Sequence, residues 1–180
     1  MNTWAKAMID TAGLHGHPKY FEFLSFLEIG YESPDSGAYD TLVEVFEWAC
    51  FCYKQQYIAV EHSWFNVASA GLEYLVYISG NEDIGEILQS MAQLHNDKNA
   101  GYAGHDNENP LANFYACNEY LGIGVFAGCL VRLCDKYERI KHLREDPNND
   151  KVNESIVETT NDLIAYSLIA SILYLENGYA

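Results

Sequence analysis

The stretch "VNESIVETTNDLIAYSLIASILYLE", residues 152–176, decides the fold of this chain. Its apolar residues recur with the period of an α-helix, and from Leu163 to Leu175 they cover that helix nearly all round. A helix of this kind belongs in a core or in an interface, because water would otherwise meet apolar side chains on every side. We therefore predict a helix over residues 153–177, with Asn153 as its N-cap.

Three carboxylates stand four residues apart at the beginning of this helix: Glu154, Glu158 and Asp162. At that spacing they stack on one helix face, where like charges repel one another. No Lys or Arg interleaves with them on that face, and burying unpaired carboxylates costs several kcal/mol for each ion. The row is therefore either fully solvated or holds a divalent cation, and both alternatives stay open. Oxygen-only ligands would favour Mg²⁺ or Mn²⁺ over zinc.

The preceding segment, "GVFAGCLVRLCDKYERIKHL" (residues 124–143), predicts a second amphipathic helix. Apolar residues form one face, and the opposite stripe holds Arg132, Asp135, Lys136 and Arg139, with Glu138 at its flank. Taken alone, this stripe is typical of a solvated face with ion pairs between residues three and four apart. Next to the carboxylate row, Asp135 could instead complete a cation site.

Helical periodicity continues through the rest of the chain, which has only four prolines and little strand-type alternation. We predict an all-α fold, a helical bundle in which residues 1–80 form an aromatic-rich N-terminal part and residues 81–180 form a second helical domain. Asn81 is a candidate cap for one of the helices. The predicted helices lie at residues 3–13, 18–29, 38–59, 62–79, 82–97, 111–120, 122–144 and 153–177.

The bulk composition excludes several classes of protein. Hydrophobic residues make up 49% of the chain, which is enough for a core despite a net charge of -16. With that charge and only ten Lys and Arg residues, we expect no binding of duplex nucleic acid. No uninterrupted run of about 18 apolar residues occurs, so we expect no membrane span. The lack of a signal-peptide pattern, and five cysteines without a CxxC pair, suit a cytoplasmic protein.

One long polar segment interrupts the apolar chain: "DKNAGYAGHDNENPLANF", residues 97–114. A loop of this length is uncommon in a compact domain unless it has a function. The alternatives are a loop that covers a ligand and a plain connection between helices built from turn-forming residues. Neither a Walker A motif nor a GxGxxG motif occurs in the chain, so neither device would hold phosphates.

Three parts of the chain resemble a family of bacteriophage proteins, the nucleotide-modification-associated domain of the MazG-like group: "KNAGYAG" with "NPLANF", "GVFAGCLVRLCDKYERI", and "NESIVETTNDLIAYSLI". The shared pattern is Lys-Asn-x-x-Tyr, then Arg-x-x-Asp-Lys-x-x-Arg, then Glu-x-x-x-Asp/Glu-Thr-x-x-Asp-Leu-x-x-Tyr, and it spans residues 82–177. The group is similar to all-α nucleoside triphosphate (NTP) pyrophosphohydrolases. Those are helical bundles, usually oligomeric, that use Mg²⁺ to cut an NTP into a monophosphate and pyrophosphate.

By position, the resemblance implies two carboxylate pairs that hold Mg²⁺ (or Mn²⁺). Asp135 and Glu138 would stand for the first pair. Glu158 and Asp162, with Glu154 one turn earlier, would stand for the second. The implied metal ligands are Asp135, Glu154, Glu158 and Asp162, and Glu138 or Glu158 would position or deprotonate the attacking water.

The resemblance also implies a set of contacts to the nucleotide. The polar segment would fold over it, and the basic stripe would balance charge on the phosphates. This chain departs from the family pattern at Gly101, where an Asp is frequent, and in the four-residue spacing of its second carboxylate pair. The implied nucleotide contacts are Lys98, Asn99, Tyr102, Asn113, Arg132, Lys136 and Arg139.

These implications give three hypotheses for function. The first is a Mg²⁺-dependent nucleotide pyrophosphohydrolase, or a close relative, that acts on or binds (deoxy)nucleoside triphosphates in phage nucleotide metabolism, in the cytoplasm of an infected host. The second is a non-catalytic protein that sequesters a nucleotide or regulates a partner, for example against host defence. The third is a helical interaction or virion-associated protein with Trp48 and Trp64 as contacts. We also expect a homodimer or a higher homo-oligomer, because the C-terminal helix is too apolar for an exposed flank.

Overall fold

The computed structural model describes residues 16–31, 34–57, 60–102, 110–147 and 154–178. Within these ranges the chain forms seven α-helices and no strand, which confirms the predicted all-α class. The helix predicted at residues 3–13 lies outside the described residues. The helices are α1 (Pro18–Gly30), α2 (Ala38–Lys54), α3 (Val60–Ser79), α4 (Ile84–Tyr102), α5 (Ala112–Leu121), α6 (Val125–Glu145) and α7 (Ile156–Asn177).

Helix α7 is the central helix, as its apolar sequence predicts. Its residues from Leu163 to Leu173 are mostly buried, and it packs against both α3 and α6. The contact with α3 is close, because a Cβ atom added at Gly71 would lie 2.9 Å from Cγ1 of Ile164. The buried hydroxyl of Ser167 donates a hydrogen bond to a carbonyl oxygen one turn earlier in α7, so it needs no partner from another helix.

The aromatic residues of α2 connect it to α6. The ring of Phe46 stacks on that of Tyr137 with centroids 3.7 Å apart, and Tyr53 meets Phe126 edge-on at 5.6 Å. Helix α2 also packs along α3. One continuous hydrophobic core therefore draws residues from both sides of position 80. The division of the chain into two domains at that position stays a prediction.

Four helices, α4 to α7, begin later than the sequence predicts. In α4 and α7 the reason is that side chains closer to the first turn form their caps. Oδ1 of Asp83 accepts a hydrogen bond from a backbone N–H in the first turn of α4 at 3.0 Å. Asn81 accepts only from the N–H of Asp83, so its prediction as the cap is wrong. Ser155 caps α7 in a capping box with Glu158. The predicted cap, Asn153, lies outside the described residues.

The polar segment 97–114 is only partly a connection between helices. Helix α4 continues to Tyr102, so Lys98 and Asn99 lie on its last turns, and α5 begins at Ala112. The polar sequence is typical of turns, but buried side chains of His95 and Asn99 hold this end of α4 against the core. Residues 103–109 and the side chain of Tyr102 lie outside the part of the chain that is described.

Helix α7 is also long and apolar enough to cross a membrane by length and composition, and α5 with α6 passes the same test only as a span broken by a 109° bend. Most of the apolar window of α7 is buried inside the bundle, however. Burial of this kind is expected of a core helix. The described residues therefore give no evidence for a membrane protein.

The close contact between α3 and α7 predicts that replacing glycine by alanine changes the free energy of unfolding in opposite directions at Gly71 and at Gly128. Gly71→Ala forces a methyl group against Ile164, and overpacking of this kind costs about 1–3 kcal/mol. Gly128→Ala in α6 is the matched control, because a Cβ there meets Cys117 at an ordinary 3.6 Å and gains about 1 kcal/mol of helix propensity. Urea denaturation should give Gly71→Ala the lower free energy of unfolding of the two variants. Equal values would contradict the close contact.

Candidate functional site

A cleft opens where five helices meet. Its cavity volume is about 80 Å³, which is smaller than the roughly 300–1,000 Å³ of most small-molecule sites, so a larger ligand would extend into the open space at its mouth. Helices α4, α5 and α7 supply aromatic and aliphatic side chains to its walls, while α1 and α6 supply one lining residue each. The polar side chains that line it are Tyr20, His95, Lys98, Asn99, Asn113, Arg132, Asn161, Asp162 and Tyr166.

Ion pairs between three helices lie beside the cleft, and two of their members, Lys98 and Asp162, line it. Nζ of Lys98 in α4 lies 3.0 Å from Oδ1 of Asp162, and Nζ of Lys136 in α6 lies 2.8 Å from Oδ2 of the same carboxylate. Lys136 also lies 2.7 Å from the carboxylate of Glu154. Arg139 donates a hydrogen bond to the backbone carbonyl of Glu154 at 2.8 Å. We call these five residues, Lys98, Lys136, Arg139, Glu154 and Asp162, the charged rim.

The charged rim corrects the interpretation of the carboxylate row. The sequence left two alternatives, a solvated row or a bound cation, because it offered no basic residue on the same face of α7. The structure shows a third arrangement, in which lysines from α4 and α6 are the partners. The basic stripe of α6 is therefore not a purely solvated face. Arg132, predicted to pair with Asp135, instead lies over the ring of Phe114 at 5.4 Å.

The ion pairs fix the protonation states of the rim. Burial alone would raise the pKa of Asp162, but hydrogen bonds from Lys136 and Lys98 outweigh it and hold that pKa below its usual value. Burial likewise acts to lower the pKa of Lys136, but its contacts with Asp162 and Glu154 raise it. Both groups are therefore charged at neutral pH. The rim sets three cationic side chains against two carboxylates.

The middle carboxylate of the row has a separate role. Oε2 of Glu158 accepts hydrogen bonds from the backbone N–H and the hydroxyl of Ser155, both at 2.8 Å. Glu158 is exposed and does not line the cleft. Its position three residues after Ser155, rather than its spacing from the other carboxylates, explains its contacts.

The other two implied carboxylates lie on a different surface. Asp135 and Glu138 are exposed and border a shallow depression outside the cleft. Glu138 pairs with Lys141 of its own helix at 3.1 Å. Neither residue lines the cleft that contains Asp162, so the two implied carboxylate pairs do not meet there.

The residues as placed do not fit a resident Mg²⁺ ion. Mg²⁺ needs free oxygen ligands at about 2.0–2.1 Å in octahedral geometry. Both carboxylate oxygens of Asp162 instead contact lysine ammonium groups, and Glu154 contacts Lys136 and Arg139. Among the described residues, no group of three or more His, Cys, Asp or Glu side chains is placed to hold a metal ion. Mg²⁺ or Mn²⁺ stays a prediction of the family resemblance.

The inner wall contains a histidine that was not among the predicted site residues. The ring of His95 stacks on that of Tyr20 with centroids 3.8 Å apart. Its Nε2 accepts a hydrogen bond from the backbone N–H of His17 at 3.1 Å, and Nδ2 of Asn99 lies 3.0 Å from the same atom. Burial and the nearby charges of His17 and Lys98 lower the pKa of His95 to about 3. The signal in the sequence was the four-residue spacing of His95 and Asn99, which places both on one face of α4.

Two buried polar atoms in the cleft walls have no hydrogen-bond partner within the described part of the chain: Oη of Tyr20 and Oδ1 of Asn113. Tyr20 has no exposed surface at all. Leaving such an atom unpaired costs about 1–3 kcal/mol, and native structures contain few of them. These two atoms are therefore available to a ligand.

Comparison with known families finds a match in the C-terminal part of the chain. Residues 129–173, a quarter of the chain, are similar to the family described as nucleotide modification associated domain 1. The match covers most of α6 and most of α7, with four of the five rim residues, but it does not cover Lys98 or the rest of α4. It supports a nucleotide-related role, whereas the MazG-like link stays a prediction. Comparisons with curated proteins and with solved structures give no match.

The buried histidine predicts how stability depends on pH. Between pH 6.5 and about 3 the unfolded chain binds a proton at His95 that the folded protein does not. Stability should therefore fall as the pH falls through this range, by at most about 1.4 kcal/mol per pH unit for one proton. The pKa of His17, which burial also lowers, adds to the loss in the same direction.

His95→Gln tests this contribution, because a glutamine oxygen can still accept from the N–H of His17. Urea denaturation across this pH range should show a shallower dependence for His95→Gln than for the wild type. The control is His142→Gln at an exposed position of α6, which should keep the wild-type dependence. If His95→Gln keeps it as well, then residue 95 is not buried in the neutral form.

Proposed function

We propose that the cleft binds a nucleotide, with the phosphates at the charged rim and the base in the aromatic interior. The main support for this proposal is that basic residues lie close together in and beside the cleft. Lys98 and Arg132 line the cleft, and Lys136 contacts the lining residue Asp162. Arg139 contacts Glu154, the other carboxylate partner of Lys136. Four of the ten Lys and Arg residues thus lie in or beside this cleft, in a chain with a net charge of -16. Ammonium and guanidinium groups placed together in this way suit phosphate oxygens.

The contacts of the rim support a ligand with more than one phosphate. Lys98 and Lys136 reach the two oxygens of a single carboxylate, Asp162, from different helices. A polyphosphate offers several acceptor oxygens to these ammonium groups, and Arg139 adds a further donor beside Glu154. Such a ligand would exchange internal ion pairs for its own, so part of its binding energy is offset by the pairs it breaks.

The interior supports the placement of a base. The ring of Phe114 lies edge-on to that of Tyr166, with centroids 6.2 Å apart. Arg132 lies over the ring of Phe114, 5.4 Å from its centroid. Met91 and Ile169 complete an apolar lining. Flat aromatic bases gain stacking and apolar burial in such a lining, with about 1–3 kcal/mol for each stacked base. The named family match points to nucleotides independently.

Mg²⁺-dependent hydrolysis of an NTP is the second candidate. One observation favours it: the carboxylates of Glu154 and Asp162 converge on one atom, Nζ of Lys136, at 2.7 and 2.8 Å. Two carboxylates that meet at one cation resemble part of a metal site in which an ammonium group takes the place of the metal. Binding without turnover is the function that the present contacts support better, because the rim is net positive.

For an interaction protein, only one of the two tryptophans proposed as contacts is on the surface. Trp64 is buried in the core, so its prediction as a contact is wrong, whereas Trp48 is 56% exposed and stacks on the exposed Phe51. The apolar surface of α7 no longer calls for a homo-oligomer, because α3 and α6 cover that helix within one chain. A homodimer or higher homo-oligomer stays a proposal, for which exposed aromatic residues of α2 are the better surface.

Removing one rim cation should weaken nucleotide binding. Lys136→Gln deletes a charged hydrogen-bond donor, which is worth about 1.5–3 kcal/mol or roughly a 10- to 100-fold loss of affinity for dNTPs. Lys141→Gln is the matched control on the same helix, since Lys141 pairs with Glu138 away from the cleft. Calorimetric titration should show the loss for Lys136→Gln alone, and the wild-type affinity should fall with added salt.

If Lys136→Gln and Lys141→Gln bind dNTPs equally well, then the phosphates do not lie at the charged rim. Thermal unfolding of each variant checks that lower affinity does not come from loss of the fold.

Binding and hydrolysis give different products. After incubation with a mixture of dNTPs, we expect mass spectrometry to find intact nucleotide released from the denatured protein, and excess chelator should leave the affinity unchanged. Release of a monophosphate with pyrophosphate, dependent on Mg²⁺ and lost in Asp162→Asn, would instead establish the hydrolase.

A further inference from the structure

Two unpartnered polar atoms lie in the walls of the same cleft, and neither is among the phosphate or base contacts proposed above. Oδ1 of Asn113, in the first turn of α5, is buried and accepts no hydrogen bond from the described residues. Oη of Tyr20, in α1, also has no hydrogen-bond partner among the described residues, and Tyr20 is fully buried. Polar atoms placed in this way weaken a fold unless something else pairs with them.

The two atoms have different neighbours. Tyr20 stacks on His95, which lies one turn before Lys98 in α4, so it is on the side of the charged rim. Asn113 lies next to Phe114 in α5, which is the helix that supplies an aromatic wall. A nucleotide with its phosphates at the rim would place its sugar nearer to Tyr20 and its base nearer to Asn113.

Resting on the proposed function, we propose that Asn113 selects the base: its Oδ1 accepts a hydrogen bond from the exocyclic amino group of adenine or cytosine, while Oη of Tyr20 hydrogen-bonds the same nucleotide nearer the rim. The amide oxygen is an acceptor only, so it needs a donor from the ligand. The amino groups of adenine and cytosine are such donors.

The deaminated forms of these bases present the opposite group. In hypoxanthine and in uracil a carbonyl oxygen replaces the amino group, and it would face Oδ1 of Asn113 as a second acceptor. To pair with that carbonyl, the amide would have to turn over, so that Nδ2 takes the place of Oδ1. A site built to hydrogen-bond one group discriminates strongly against an analogue that leaves its buried atom unpaired. The amino and carbonyl members of each pair have nearly the same size, so shape alone separates them little.

The two residues predict different outcomes when they are changed. Asn113→Leu removes the selecting oxygen, so it should lower the affinity for the amino base and leave that for its deaminated form nearly unchanged. Tyr20→Phe removes a hydroxyl that has no partner among the described residues. It should therefore keep or raise the melting temperature while weakening all nucleotides by about 3- to 10-fold. A purely structural tyrosine would show the reverse, with lower stability and unchanged binding.

The experiment is calorimetric titration of the full chain with two pairs of nucleotides, dATP with dITP and dCTP with dUTP, and with inorganic tripolyphosphate. In at least one pair we expect the wild type to bind the amino member about 10-fold more tightly, and Asn113→Leu to abolish that difference. Asn118→Leu, at an exposed position of α5, is the matched control and should keep it. Tripolyphosphate should bind the wild type and Asn113→Leu alike.

The outcomes separate this inference from the function on which it rests. Equal affinities within both pairs, a preference for the carbonyl members, or an equal loss for both members in Asn113→Leu would overturn the selection by Asn113. If neither a nucleotide nor tripolyphosphate binds the wild type, the proposed function itself fails. If Asn113→Leu does not fold, Tyr20→Phe still tests the cleft, because unchanged affinity in that variant would overturn the contact to its hydroxyl.

Discussion

The ammonium group of Lys136 pairs two carboxylates that the fold brings to the edge of its core. Helix α7 must be buried because most side chains after Leu163 are apolar, and Asp162 is the residue directly before that apolar run. An ionised carboxylate in this position is costly unless it is paired. Lys136 of α6 and Lys98 of α4 supply the pairs. The same few ion pairs thus connect three helices around the cleft.

Periodicity predicted the helices well, because it reports which side chains must avoid water. The apolar run of α7 led to a core helix, and the apolar face of α6 led to the helix beside it. The errors lie at helix ends, where single hydrogen bonds decide. Asp83 is the cap in place of Asn81, and α4 continues past its predicted end to Tyr102, with Asn99 buried.

The site was harder to predict, because its contacts join residues far apart in the chain. The row of carboxylates on α7 was visible in the sequence, but Lys98 lies 64 residues before Asp162. Only the packing of α4 brings the two together. Spacing also suggested that Glu158 belongs with Asp162, whereas the capping box uses it locally. His95 and Tyr20 carried no motif, since their importance comes from burial and from partners that only the fold defines.

The internal pairing of the charged rim has a consequence for which anions can enter. Any anion that arrives meets cations already paired with Asp162 and Glu154, which are held in place by the fold. Groups tethered in this way compete at effective concentrations that are roughly millimolar or higher. A singly charged anion gains little by replacing a carboxylate, whereas a linked series of phosphates can engage several cations at once. If nucleotides bind as proposed, the rim would select by valence and favour linked phosphates over chloride and simple carboxylates.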